Sequence, residues 1–197
     1  MSKTKQIYII GGGQTAAYAA KEIRSIDSHS DLTIISEEKY FPYEKPPLSK
    51  DFFLDKINFE NLLFFPENFY KENRINFISN TKIIEVDFDN KKIKSIKKNY
   101  QYDKLLIATG SSNRHLNING DIILPEENII YLRNSEESKI LKKKISLAKN
   151  IVIIGGGFIG LEIASSASQK EKNITVLEKG DQLMGRVIPV EIAKLIQ

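Results

Sequence analysis

Ile7-Tyr-Ile-Ile-Gly11-Gly-Gly-Gln-Thr-Ala16 opens the chain and returns as Ile151-Val-Ile-Ile-Gly155-Gly-Gly-Phe-Ile-Gly160. In each copy a short apolar run rich in β-branched residues meets a glycine cluster, and a stretch of helical pattern follows. A second apolar run then ends in an acid: Leu32-Thr-Ile-Ile-Ser-Glu37 in the first copy, Ile174-Thr-Val-Leu-Glu178 in the second. Strand, glycine turn, helix, strand and acid is the layout of a dinucleotide-binding βαβ unit. A single glycine-rich turn is a weak signal, but here both copies carry the strand before, the helix after and the acid beyond.

The chemistry explains the residue types. A diphosphate is held by the unpaired N–H groups and positive dipole end of a helix start, and a Cβ there would keep it away. In the first copy Gly11 makes the tight turn, Gly13 permits close approach, and Ala16 stands where a third glycine usually lets the helix pack on the strand. In the second copy Gly155, Gly157 and Gly160 fill all three positions. Glu37 and Glu178 are placed to accept hydrogen bonds from an adenosine ribose. A carboxylate repels a 2′-phosphate, so Glu178 favours NADH over NADPH, with the neighbouring Lys179 pulling the other way. The expected fold is α/β, with two Rossmann-like dinucleotide-binding domains, three-layered on mostly parallel sheets and both incomplete.

Composition sets the outer bounds. The 197 residues give room for one large domain or two small ones. With 41% hydrophobic and 27% charged residues, the chain reads as a globular protein able to bury a core. Lys plus Arg is 29 against 25 Asp plus Glu, a net +4 that does not predict a nucleic-acid partner and follows from a Lys-, Asn- and Ile-rich composition. There is no cysteine, which excludes disulfides, thiolate zinc sites, cysteine-ligated iron–sulfur clusters and a dithiol redox couple within this chain. His29 and His115 are the only imidazoles, so no metal site is expected. The polar start and the brevity of the run Ile7–Ile10 predict neither a leader nor a membrane partner, which makes the cytoplasm the default location.

Between the repeats, Phe41–Pro47 carries three prolines and reads as an ordered loop, and Pro66–Asn73 as a short helix with proline in its first turn. Thr81–Phe88 and Lys92–Lys97 alternate around the turn Asp89-Asn90 and predict an antiparallel hairpin. Asp103–Ala108 reads as a buried strand, and the polar stretch after it predicts a domain boundary near Asn113, with domains at 1–113 and 114–197. Ser135–Lys149 predicts an amphipathic helix capped by Ser135, with acids in its first turn and lysines after. A further helical pattern starts at Pro189. Parallel sheets normally need helices on both faces, so the second unit is expected to leave a face uncovered and the chain to be unfinished.

At this point the motifs resemble the ferredoxin reductase-like class of FAD-dependent NAD(P)H oxidoreductases, which includes reductases of P450 and dioxygenase systems and the apoptosis-inducing factor group. The resemblance rests on Pro42-Tyr-Glu-Lys-Pro-Pro-Leu-Ser-Lys50, Tyr102–Gly110, Tyr131-Leu-Arg-Asn134, Gly155–Glu162 and Leu183-Met-Gly-Arg186. It implies that Gly11, Gly13, Thr15, Ala16 and Glu37 hold the ADP half of FAD, that Ile83 meets the adenine side through its backbone, and that Ala108, Thr109 and Gly110 line the pyrophosphate. It places Lys50 near the isoalloxazine, Arg133 toward FAD, Gly155, Gly157, Gly160 and Glu178 on NADH, and Glu162 near the nicotinamide, paired with Lys50. The implied activity passes electrons from NADH through flavin to a ferredoxin-type iron–sulfur protein. The class departs from this chain at Ala16 and at Ser111–Arg114, where Ser-Ser-Asn-Arg replaces a Ser-Arg-Pro-Arg pattern. It also continues into a C-terminal half, through a Gly-Asp motif and an interface domain, so truncation is the expectation. A non-catalytic dinucleotide-binding remnant, half of a split protein, and an NADH oxidase of the apoptosis-inducing factor type remain the alternatives.

Overall fold

The computed structural model describes residues 4–116 and 126–196. By internal contact the chain forms two compact units, Met1–Glu44 with Phe59–Ser111, and Lys45–Asn58 with Ser112–Gln197. They are not contiguous halves: residues 45–58, which the sequence reading included in a first domain ending at 113, pack with the second unit.

The first unit contains strand β1 (Gln6–Ile10), helix α1 (Gln14–Ile26), β2 (Asp31–Ile35), α2 (Glu67–Glu72), β3 (Ile75–Ile78), β4 (Ile83–Asp87), β5 (Lys92–Ser95), β6 (Asn99–Gln101) and β7 (Lys104–Ile107). A parallel sheet runs in the order β3-β2-β1-β7, the order of a dinucleotide-binding half. Its registers pair Ile10 with Ile35 and with Ile107. Alternation divides the strand side chains between two cores. Ile9, Leu32, Ile34 and Ile75 join Ala16 and Ala20 of α1 and Tyr70 of α2 on one face. Ile10 and Ile35 meet Ile93, Tyr100 and Tyr102 on the other. That second face is covered by the antiparallel sheet β4-β5-β6 rather than by helices, so the general expectation of helices on both faces is corrected for this sheet.

The predicted hairpin is present as β4 and β5, and a third strand, β6, extends it. The short helix also forms, but Pro66 is its N-cap rather than a first-turn residue.

The second unit contains α3 (Ser135–Leu147), β8 (Asn150–Ile154), α4 (Phe158–Ser168), β9 (Asn173–Leu177) and α5 (Val190–Ile196). Strands β8 and β9 pair in parallel, with Ile154 opposite Leu177. Ile151, Ile153 and Ile174 pack toward Ile145 of α3 and Ile163 and Ala167 of α4, together with Phe53 from segment 45–58. The alternate residues Val152, Ile154 and Leu177 are exposed. Helix α3 is capped by Asn134, not by Ser135: the Asn134 side chain accepts from Glu137 N, and Glu137 returns a bond to the Asn134 backbone. Asparagine fits this box as well as serine does, and Ser135 is buried one position inside.

Arg24, in the last turn of α1, fastens the base of the first unit. Its guanidinium donates to the carbonyls of Asn73 (2.8 Å), Asp27 (2.9 Å), Ser30 (3.0 Å) and Arg74 (2.7 Å). One planar fork thus ties the ends of α1 and α2 to the entries of β2 and β3, with its charge at a helix C-terminus where it is favoured. Arg24→Ala is expected to lower the free energy of unfolding by about 2–4 kcal/mol, read as a shifted urea midpoint. Arg24→Lys should recover only part, because an ammonium cannot span four carbonyls. An unchanged midpoint for the alanine variant would contradict this role.

Candidate functional site

Helices α1 and α4 start in the same way, and α3 starts differently. The N-caps of α1 and α4 are Gly13 and Gly157, both with extended backbone, neither with a side-chain cap bond, and neither helix has an acid in its first turn. Helix α3 satisfies its own first turn with Asn134 and Glu137 and carries Glu136 beside them. No side-chain cap or first-turn acid occupies the helix starts of α1 and α4, which leaves their first-turn N–H groups available to a ligand.

In the first unit, Gly11 has φ +122°, and a Cβ on it would stand 2.1 Å from the carbonyl oxygen of Ala108. Gly11 N donates to Ile35 O, and Ala108 N to Ile10 O. The glycine turn is thus brought against Ala108-Thr109-Gly110, where Gly110 has φ +70°. A Cβ on Gly13 would meet nothing within 4 Å, so the helix start opens onto free space. Thr15 is exposed one residue into the helix, whereas Ala16 is wholly buried in the core, where it lets α1 close on the sheet. Glu37 is exposed and pairs with Lys82 at 3.5 Å. Thr81 N donates to Ser36 O, so the approach to Ile83 runs beside the end of β2.

In the second unit, Gly155 has φ +105°, and added Cβ atoms on Gly155 and Gly157 would meet nothing within 4 Å. A Cβ on Gly160 would lie 2.1 Å from Gly155 O, so here the third position has no room for the methyl that Ala16 carries. Glu178 is pinned to the turn: one carboxylate oxygen accepts from Gly180 N at 2.8 Å and the other from Gly156 N at 2.7 Å. These backbone bonds, that from Gly180 first, hold its carboxyl below the usual glutamate value. Met184 N donates to Gly156 O, which folds the Leu183–Arg186 motif against the same turn.

Strand register exposes a position the sequence reading missed. Ile35 and Leu177 hold equivalent places beside Ile10 and Ile154, so Ser36, not Glu37, is the counterpart of Glu178. A Cβ on Gly12 would meet Ser36 Oγ at 2.3 Å, as one on Gly156 would approach a Glu178 oxygen at 3.3 Å. Counting from the paired strand ends, rather than from the glycines, would have found Ser36, because α1 is longer than α4.

Lys50 and Glu162 are brought together within the second unit, Nζ to Oε1 at 3.1 Å. The preceding residues Pro46–Ser49 form a 3-10 turn, and Ser138 Oγ and Ser166 Oγ donate to the carbonyls of Leu48 (2.7 Å) and Ser49 (2.9 Å). Arg133 also belongs to this unit, its backbone N–H donating to Glu137 at 2.5 Å. The expected residues thus divide: Gly11, Gly13, Thr15, Ala16, Glu37, Ile83 and Ala108–Gly110 in the first unit, the others in the second. Among the described residues no cluster of potential metal ligands occurs, and no helix is long and apolar enough to cross a membrane.

The model of the pyridine nucleotide-disulphide oxidoreductase family matches residues 5–197. A rubredoxin-NAD(+) reductase of Ectopseudomonas oleovorans is 35% identical over 192 residues, covering 97% of this chain and 49% of that protein. A terpredoxin reductase of Pseudomonas sp is 32% identical, covering 95% of this chain and 45% of that protein. Among solved structures, the ferredoxin reductase for the CYP199A2 system from Rhodopseudomonas palustris superposes with a TM-score of 0.88 at 32% identity, covering 97% of this chain and 46% of that one. The chain spans about half the length of the curated relatives it matches.

Because the charged form of Glu178 gains the backbone bonds, its stabilisation is present above the ordinary glutamate pKa of about 4.3. It is lost as pH falls through the lower folded value. Urea midpoints followed from about pH 5 down to about pH 3 should fall more steeply for the wild type than for Glu178→Gln. Parallel curves would remove this carboxylate from the turn.

Proposed function

Because the chain belongs to the pyridine nucleotide-disulphide oxidoreductase family, we propose that it supplies the FAD- and NADH-binding framework of a reductase. The proposed reaction passes electrons from NADH through flavin to a ferredoxin-type iron–sulfur protein. The observation that carries the reading is the pair of uncapped, acid-free helix starts, each opening onto free space at its N-cap glycine. The names of the relatives, rubredoxin-NAD(+), terpredoxin and ferredoxin reductases, support the donor and the class of acceptor. With no cysteine in the chain, the disulphide chemistry of the family name has no carrier among these residues.

We assign FAD to the first unit and NADH to the second. The residues fit a diphosphate at both places, since an open cradle at Gly13 and at Gly157 lets backbone N–H groups reach it. Gly11 and Ala108–Gly110 form the wall of the flavin site, and Glu37 is offered to the ribose. Glu178, held by two backbone N–H groups, presents a fixed acceptor to the NADH ribose and opposes a 2′-phosphate. When bound, FAD supplies the exchange between a two-electron donor and a one-electron acceptor. Lys50, neutralised by Glu162, provides a positioned ammonium for the flavin ring.

The purified chain incubated with FAD and desalted should retain flavin absorbance. Gly13→Val should weaken FAD retention by about a hundredfold, the loss of two charge-assisted hydrogen bonds, while the fold persists because the added side chain meets open space. Gly157→Val should leave flavin content unchanged and weaken NADH binding, measured by fluorescence titration. A chain that takes up no FAD, or a Gly13→Val variant that takes it up normally, would reject the assignment.

A further inference from the structure

A lone Lys–Glu pair with side chains 48% and 27% exposed is a loose arrangement, because both chains keep several rotamers and water screens the charges. The Lys50–Glu162 pair has a further bond. While Oε1 of Glu162 faces Lys50 Nζ at 3.1 Å, its Oε2 accepts from Ser49 Oγ at 2.5 Å. Two consecutive residues of one turn thus grip both oxygens of one carboxylate. Ser49 is only 3% exposed. Its single hydroxyl proton has a neutral alternative acceptor, Pro46 O at 3.3 Å, but the shorter bond to a charged oxygen is the stronger. The Ser49 backbone is itself held, since Ser166 Oγ, from the same helix as Glu162, donates to Ser49 O.

We propose that Ser49 is a positioning residue: its hydroxyl fixes the plane of the Glu162 carboxylate and thereby the direction of the Lys50 ammonium. The inference rests on the reading of Lys50 and Glu162 as part of the flavin–nicotinamide machinery. It goes beyond it by assigning the orientation of that pair to a third side chain.

The test is acetylation of the flavin-free 197-residue chain with acetic anhydride at fixed pH, Lys50 being quantified by mass spectrometry against exposed Lys97. Ser49→Ala should raise the relative rate at Lys50 about three- to tenfold, as expected for the loss of one such hydrogen bond. Ser49→Thr, which keeps a hydroxyl, should stay at the wild-type rate. Glu162→Gln should raise the rate similarly, and the Ser49→Ala/Glu162→Gln double variant should add nothing further. A Ser49→Ala rate equal to wild type, with Glu162→Gln elevated, overturns the proposal. So does an Ala/Gln double variant whose effects simply multiply. If Ser49→Ala does not fold by circular dichroism, Ser49→Cys, which keeps the side chain's shape but donates only weakly, should raise the rate in the same direction, and an unchanged rate again overturns it. Repeating the wild-type measurement with FAD separates the two claims: lack of protection at Lys50 rejects its place beside flavin and leaves the Ser49 result standing.

Discussion

A diphosphate can be met by main-chain N–H groups only where nothing stands between a strand end and a helix start. That constraint organises both units. Gly11 sits at φ +122°, and a Cβ there would also lie 2.1 Å from Ala108 O, while Gly160 must lack one because Gly155 O stands at the same distance. The close approaches are between backbone and backbone, so no rotamer change relieves them. By contrast, the positions over which the ligand would lie, Gly13 and Gly157, face open space. The distinction separates glycines required by packing from Gly13 and Gly157, for which packing gives no reason and the proposed diphosphate does. Helix α3 shows the ordinary solution when no ligand is to be held, a side-chain cap that consumes the first-turn donors.

How far this was legible in the sequence follows from which signals are local. The repeat, strands β1, β2 and β7 and the hairpin rest on patterns within a few residues and stand where the spacing put them, whereas β3 between the short helix and the hairpin was not read. Strand β6 escaped because Asn99–Gln101 has only three residues, too few to show alternation, and its pairing is supplied by β5. Cap identity failed by one residue at α3, since Asn134 and Ser135 are both good caps and only the geometry chooses. Of the candidate site, the glycines were legible because they form one short repeated cluster, although only Gly11, Gly110 and Gly155 take a left-handed φ and Gly160 is required by close approach to Gly155 O. The equivalence of Ser36 with Glu178 was not, because it depends on strand register across helices of different length.

The membership of residues 45–58 in the second unit was also hidden, and the reason is chemical. The N–H groups that follow the turn go to other carbonyls, Lys50 and Phe52 N to Pro47 O and Leu54 N to Lys50 O, so the carbonyls of Leu48 and Ser49 are met from elsewhere. Buried serines of α3 and α4 meet them. Phe53 enters the apolar core beside Ile145 and Ile163, and Lys142 donates to Phe52 O and pairs with Asp55. Serine hydroxyls inside helices carry little signal in a sequence, since most point to water or back to their own helix.

The two turns share a glycine geometry yet differ in how they hold their acids, and the difference bears on what each can do. Ser36 is fully buried, and its hydroxyl already accepts from Glu38 N, so at the first turn the negative charge is displaced one residue outward to Glu37. There it is exposed and balanced by Lys82 at 3.5 Å. At the second turn Glu178 stays directly beside Gly156, with both oxygens on backbone donors. A carboxylate so held remains ionised at neutral pH and cannot turn away from a ligand, which makes it a fixed electrostatic test of whatever group approaches. A surface acid paired with a lysine can rotate and exchange partners, so it contributes a hydrogen bond with little discrimination of charge. A site that must tell a ribose hydroxyl from a phosphate needs the first arrangement. A site whose ligand carries no such alternative works with the exchangeable acid, and the proposed assignment of NADH to the second unit and FAD to the first is consistent with that division.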